Sequence, residues 1–100
     1  MFNIITRKTL LDYAKKYPIA ANALFEWYHN FINKNYKTLN ELKQDYPSAS
    51  IIGDQRVIFN ILGNQYRLIV RIVFEFKTVQ IKWFGPHSLY DKIDALTIQL

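Results

Sequence analysis

RVIFNILGNQYRLIVRIVFEFKTVQIK, residues 56–82, is the stretch that decides the fold. The even positions in its centre are all apolar: Tyr66, Leu68, Val70, Ile72, Phe74 and Phe76. The odd positions between them include Arg67 and Arg71. Successive side chains of a β-strand point to opposite faces, so this period predicts a strand with one apolar face and one face that carries arginines.

A hairpin turn is predicted at positions 63–64, where Gly and Asn both tolerate a positive φ. Such a turn places Asn60 opposite Arg67 and Arg56 opposite Arg71. Two arginines that face each other repel when nothing lies between them. We therefore expect this face of the sheet to take an anionic ligand.

A second hairpin is predicted from a tight connection at 77–78. In the simplest register, Val73 lies opposite Lys82 and Arg71 lies opposite Phe84. Lys82 then joins the arginines on the polar face of the sheet.

Apolar residues recur at helical spacing in the N-terminal half of the chain. Helices are predicted over 7–17, 19–33 and 39–45, with either a helical turn or a short extended piece at 88–93. Thr6 and Thr38 are predicted caps, and Pro18 marks a helix start because proline fits the first helical turn. Strands are predicted over 2–5, 56–62, 65–76 and 79–84. This order indicates an α+β fold, with N-terminal helices packed on one face of a twisted, mainly antiparallel β-sheet.

The composition predicts one small domain that covers residues 1–100, with half of its residues apolar. The net charge of +5 suggests an acidic or polyanionic partner, although a mildly basic protein without such a partner fits equally well. The absence of cysteine excludes disulfides and thiolate metal sites and fits a reducing compartment. No apolar run is long enough to span a bilayer, so we expect a cytoplasmic protein without membrane contact.

The candidate site lies on the polar face of the sheet and at its rim. The predicted catalytic residues are Arg67, His87, Arg71 and Tyr90. The predicted RNA-binding residues are Arg56, Asn60, Lys82 and Lys92. Arginine presents a planar fork to phosphate oxygens, histidine can transfer a proton at neutral pH, and tyrosine can stack on an unpaired base. Each of these side chains could instead be an ordinary surface or loop residue.

The chemistry that this set suits is cleavage of RNA. Cationic donors stabilise the charge that builds on the phosphate oxygens in the transition state. The attacking group can be the 2′-hydroxyl of the substrate, so neither a metal nor a protein nucleophile is required. Asp91 and Asp94 lack further ligands at suitable spacing, and we predict no metal and no cofactor.

Two segments, VIFNILGNQYRLIVRI and WFGPHSLYDKIDALTI, resemble the HigB-type toxins of type II toxin–antitoxin modules, within the RelE-like group of mRNA interferases. The resemblance implies a RelE-like fold and cleavage of translated mRNA on the ribosome. It also implies neutralisation by a cognate antitoxin, of the HigA-like helix-turn-helix type, in a hetero-oligomeric complex. By position, Arg67 matches the strand arginine that contacts the scissile phosphate, and His87 matches the C-terminal residue that acts on the leaving group. Pro86 departs from the family, which commonly has a small hydroxyl residue there.

The resulting interpretation is a toxin that acts as a metal-independent endoribonuclease and inhibits translation. Two alternatives use the same basic face. One is a non-catalytic RNA- or ribosome-binding module, and the other is a protein-interaction domain that meets an acidic partner.

Overall fold

The computed structural model describes residues 1–4 and 7–99. Its helices are α1 (Arg7–Lys16), α2 (Ala21–Ile32), α3 (Leu39–Asp45) and α4 (His87–Tyr90). Its strands are β1 (Asn3–Ile4), β2 (Ser50–Ile51), β3 (Arg56–Ile61), β4 (Tyr66–Val73) and β5 (Thr78–Pro86). Short 3₁₀ helices cover Pro18–Ala20 and Phe74–Phe76. The α+β class predicted from the sequence is confirmed.

The three predicted N-terminal helices are present. Pro18 opens the 3₁₀ turn that leads into α2. The Thr38 side chain accepts a hydrogen bond from the backbone N–H of Glu41 and caps α3, as predicted. The predicted cap Thr6 and the end of the predicted first strand, Ile5, lie outside the described residues.

The five strands form one sheet in the order β1-β5-β4-β3-β2. β1 runs parallel to β5, and the other neighbouring strands are antiparallel. The predicted register of the first hairpin is confirmed: Asn60 pairs with Arg67 and Arg56 pairs with Arg71. Its turn is wider than two residues, and positive φ falls on Leu62 and Gly63 and not on Asn64.

The predicted register of the second hairpin is wrong. β4 ends at Val73, because the next three residues form a 3₁₀ turn that closes with Lys77 in the left-handed region at a φ of 52°. Arg71 therefore pairs with Gln80 and not with Phe84. A bulge opposite the step between residues 69 and 70 then leaves Lys82 as the extra residue on β5.

The N-terminal helices α1, α2 and α3 cover one face of the sheet, as the alternating pattern predicts. The core contains the even-numbered side chains of β4 together with the apolar side chains of α1 and α2. Its buried members on the central strands are Val57, Phe59, Ile61, Leu68, Val70, Ile72, Val79, Ile81 and Phe84. The odd-numbered side chains of β4 consequently lie on the opposite face, which we call the basic face.

Candidate functional site

Arg67 is half-buried near the start of β4, where the strand follows the hairpin turn. Its Nη1 donates to the backbone oxygen of Asn64 at 3.0 Å and to that of Tyr66 at 3.4 Å. Its Cζ lies 5.7 Å from the centroid of the Tyr90 ring. In the described part of the chain both hydrogen bonds use Nη1, so the guanidinium has further donors for an anion.

His87 is positioned by the same corner of the sheet. β5 ends with the pairs Arg67–Gly85 and Tyr66–Pro86, and α4 starts at His87. The His87 backbone N–H donates to the Gln65 oxygen at 2.8 Å, and its side chain is exposed. This corner of the sheet therefore holds the Arg67 guanidinium against the Tyr90 ring, with the exposed His87 two residues beyond Gly85.

Arg71 lies on the same face as Arg67 but is oriented by an acidic partner. Its Nε lies 3.2 Å from Asp54 Oδ1. Four residues along a strand separate the Cα atoms of Arg67 and Arg71, a span of about 13 Å. The structure thus places Arg71 in a separate part of the basic face, where Asp54 partly neutralises it.

Arg56 is buried, with only 1% of its surface exposed. Its Nη1 donates to the backbone oxygens of Ala95 at 3.1 Å and Ile98 at 2.8 Å. Its Nε, which has no hydrogen-bond partner among the described residues, lies 3.7 Å from Asp54 Oδ2. We correct the expectation that Arg56 contacts RNA, because the C-terminal segment covers its guanidinium and leaves no surface for a phosphate.

Lys82 lies on the basic face, although by the bulge and not by the predicted pairing with Val73. Partial burial lowers the pKa of Lys82, and the nearby charges of Arg56 and Arg71 lower it further. Its Nζ bonds Gln99 Oε1 at 3.0 Å. Asp54 acts in the opposite direction and raises the pKa of Lys82.

Asn60 and Lys92 are the two remaining predicted RNA-binding residues. Asn60 lies across from Arg67 and donates from Nδ2 to the Ser48 oxygen at 3.4 Å. It also borders a groove of about 330 Å³ between α2 and the edge of β3. Lys92 is exposed just after α4, two residues beyond Tyr90.

Sequence reasoning missed two features of this face. The first is Asp54, which lies beside both Arg56 and Arg71. The second is Trp83, which pairs with Ile69 on the basic face. The second could have been found from the spacing in WFG, since residues 83 and 85 share a strand face and the glycine leaves room for the indole.

No group of three His, Cys, Asp or Glu side chains that could hold a metal ion occurs in residues 1–4 and 7–99. Within the same residues, no helix combines the length and apolar character that a membrane crossing requires.

The family model of the HigB toxin, described as the RelE-like toxic component of a toxin-antitoxin system, matches residues 20–93. The chain belongs to this family. HigB-family membership agrees with the observed helices and open sheet. It also gives the protein a cognate antitoxin as a partner, since the family is one component of a two-component system.

Individual HigB proteins are similar over nearly the whole chain. The mRNA interferase toxin HigB of Escherichia coli strain K12 is 29% identical over 96 residues, which cover 94% of this chain and 92% of that protein. The mRNA interferase HigB of Shigella flexneri gives the same values. The mRNA interferase HigB of Escherichia coli O6:H1 is 27% identical over 93 residues, which cover 91% of this chain and 90% of that protein.

Proposed function

We propose that this HigB-family toxin is an mRNA interferase that cleaves translated mRNA on the ribosome and is neutralised by a HigA-like antitoxin. The relatives named mRNA interferase support the activity. The observation that supports the proposal is the contact of Arg67 with Tyr90 at the end of β5, where the exposed His87 begins α4. Arginine and histidine supply the charge stabilisation and proton transfer that phosphodiester cleavage needs.

In the proposed reaction, the 2′-hydroxyl of the message attacks the adjacent phosphorus and the bond from phosphorus to the 5′-oxygen breaks. The 2′-oxygen loses its proton and the leaving 5′-oxygen gains one. The products are a 2′,3′-cyclic phosphate and a 5′-hydroxyl end. No step requires a metal ion or a cofactor.

The residues have separate tasks in this scheme. Arg67 binds the phosphate and stabilises the charge of the transition state, because its hydrogen bonds to the described residues use only Nη1. His87 transfers a proton, since its side chain is exposed at the same corner. Arg71 and Lys82 bind the backbone of the message further along the face, and Lys92 does so beside Tyr90.

The test is to induce the toxin without its antitoxin and to map the 5′ ends of cellular mRNA. Cleavage predicts new ends with 5′-hydroxyl groups inside coding sequences, together with growth arrest. A module that only binds RNA or ribosomes would arrest growth without new ends. A domain that only binds an acidic protein would produce neither new ends nor ribosome association.

A further inference from the structure

We propose that Trp83, together with Tyr90, forms a stacking site for an unpaired nucleobase next to the phosphate bound by Arg67. The inference rests on the proposed function and names how the substrate is held. The ligand class is single-stranded RNA with an unstacked base.

The first observation is the position of Trp83. It pairs with Ile69, and the next pair on the same face towards the end of β5 is Arg67 with Gly85. Cross-strand partners share a face, so the indole lies on the basic face beside Arg67. Trp83 is half-buried and does not belong to the core beneath the helices. A large aromatic side chain on the cationic face is therefore left partly open to solvent.

The second observation is the close approach of the indole to Gly85. A Cβ added at Gly85 would lie 2.7 Å from Trp83 Cζ2 and 2.8 Å from Cη2. Gly85 does not have a positive φ, so its backbone conformation does not require glycine. Glycine is instead needed because a side chain at this position would clash with the six-membered ring of Trp83.

The third observation is that the aromatic rings adjoin the cation. The ring centroids of Trp83 and Tyr90 are 6.3 Å apart, with their planes at 52°. The guanidinium of Arg67 lies against the Tyr90 ring at 5.7 Å. The bulge beside Trp83 is the kind of irregularity that re-aims side chains near functional sites.

Stacking on aromatic side chains is the common way in which proteins hold unpaired bases, and it works for every base because each has a π-face. A base on the indole would place the adjoining backbone towards Arg67. The alternative is that Trp83 only shields its buried cross-strand neighbour Ile69.

The experiment compares W83F with W83L, two apolar replacements of which only phenylalanine keeps an aromatic face. Each variant is induced, its amount is matched by immunoblot, and mRNA 5′ ends are mapped and counted. F76A is the control, because Phe76 is 70% exposed at the opposite end of the second hairpin. Circular dichroism melts of the complexes with antitoxin establish that the variants fold.

Stacking predicts that W83F cuts several-fold more than W83L, and that W83L falls by about 5- to 150-fold from the wild type, while F76A is unchanged. It also predicts that the sequences around the remaining W83L cuts differ from those of the wild type. Equal cutting by W83F and W83L overturns the inference, since a shielding role needs only bulk. If the wild-type protein makes no cuts, the proposed function itself fails, which is a different result.

A binding measurement separates stacking from a change in the chemical step. The probe is a short single-stranded RNA with 2′-O-methyl groups, loaded with the toxin on stalled ribosomes. Kinetics on the matching unmodified message should show that W83L raises KM far more than it lowers kcat. A fall in kcat alone, with unchanged KM and unchanged retention of the probe, contradicts a stacking site.

Discussion

The guanidinium of Arg67 lies against the ring of Tyr90, with its Cζ 5.7 Å from the ring centroid. This contact joins the middle of the sheet to α4 and holds the cation at the corner that also carries His87. A flat ring on one side restrains the guanidinium without consuming its N–H donors. The contact therefore orients Arg67 while leaving it able to bind a phosphate.

Replacement of Tyr90 tests this orientation. Y90L removes the ring beneath the guanidinium, and we expect mRNA cutting about 2- to 5-fold below that of Y90F, the size of an exposed cation–π contact. A matched control exists on the helices, where Arg7 lies 5.8 Å from the ring centroid of Tyr28. Y28L removes the equivalent contact there and should not alter cutting. Equal cutting by Y90L and Y90F would show that the ring does not orient Arg67.

Arg56 is predicted to be a stability residue. R56M leaves the backbone oxygens of Ala95 and Ile98 without their donor, and we expect a loss of about 2–4 kcal/mol in the free energy of unfolding. R71Q breaks the exposed pair with Asp54 and should cost less than about 1 kcal/mol. Urea denaturation measures both values. Limited proteolysis should cut R56M first after residue 93, and an R56M protein as stable as R71Q would refute this role.

The role of Lys82 leads to opposite expectations for stability and binding. The pKa of Lys82 is lower in the folded protein than its ordinary value of 10.5. The charge of Lys82 therefore destabilises the folded state at a pH below the lowered pKa, and this destabilisation disappears as the pH rises past 10.5. K82Q should therefore match or exceed wild-type stability at neutral pH. Its RNA binding should weaken, with the salt-dependence slope reduced by about one charge. K92Q, on an exposed lysine, is the comparison for stability, and a destabilised K82Q with unchanged salt slope would contradict the assignment.

A pH-dependent pair lies away from the site. The Tyr36 hydroxyl donates to Asp45 Oδ2 at 2.5 Å, and this bond, helped by Lys34, lowers the pKa of Asp45 below its ordinary 3.8. A carboxyl group whose pKa is lowered by folding stabilises the protein at a pH above its ordinary pKa. This stabilisation is lost as the pH falls through the pKa of the group in the folded protein. Y36F removes the donor and keeps the ring, so the Asp45 pKa should rise. A carboxyl NMR titration of Asp45 measures the midpoint, and an identical midpoint in both proteins would show that the bond does not lower it.

The first hairpin could be predicted because its information is local. Glycine at the turn and strict alternation on both sides determine which residues pair, and Asn60 does lie opposite Arg67. The second hairpin could not be predicted in the same way. Alternation continues in the sequence through Phe76, yet the chain turns at Phe74, and no residue pattern marks the bulge at Lys82.

The same difference between local and long-range information applies to the candidate site. Arg67 could be placed opposite Asn60 because the register of the first hairpin is local, whereas the position of His87 depends on the second hairpin, whose predicted register is wrong. The burial of Arg56 could not be foreseen, because its partners lie 39 and 42 residues away in the C-terminal segment. Whether a distant segment of the chain covers a sheet face depends on tertiary packing, and the alternation of side chains along a strand does not encode it.

The central claim is that the guanidinium of Arg67 and the imidazole of His87 cut mRNA from one corner of the basic face. The most direct test pairs each residue with a counterpart on the helices, R67A with R7A and H87A with H29A, since Arg7 and His29 are exposed residues of the same types. Induced at equal amounts and bound equally by antitoxin, R7A and H29A should produce the wild-type set of mRNA 5′ ends, whereas R67A and H87A should lose it by about 100-fold or more. Wild-type cutting by both R67A and H87A would contradict the account.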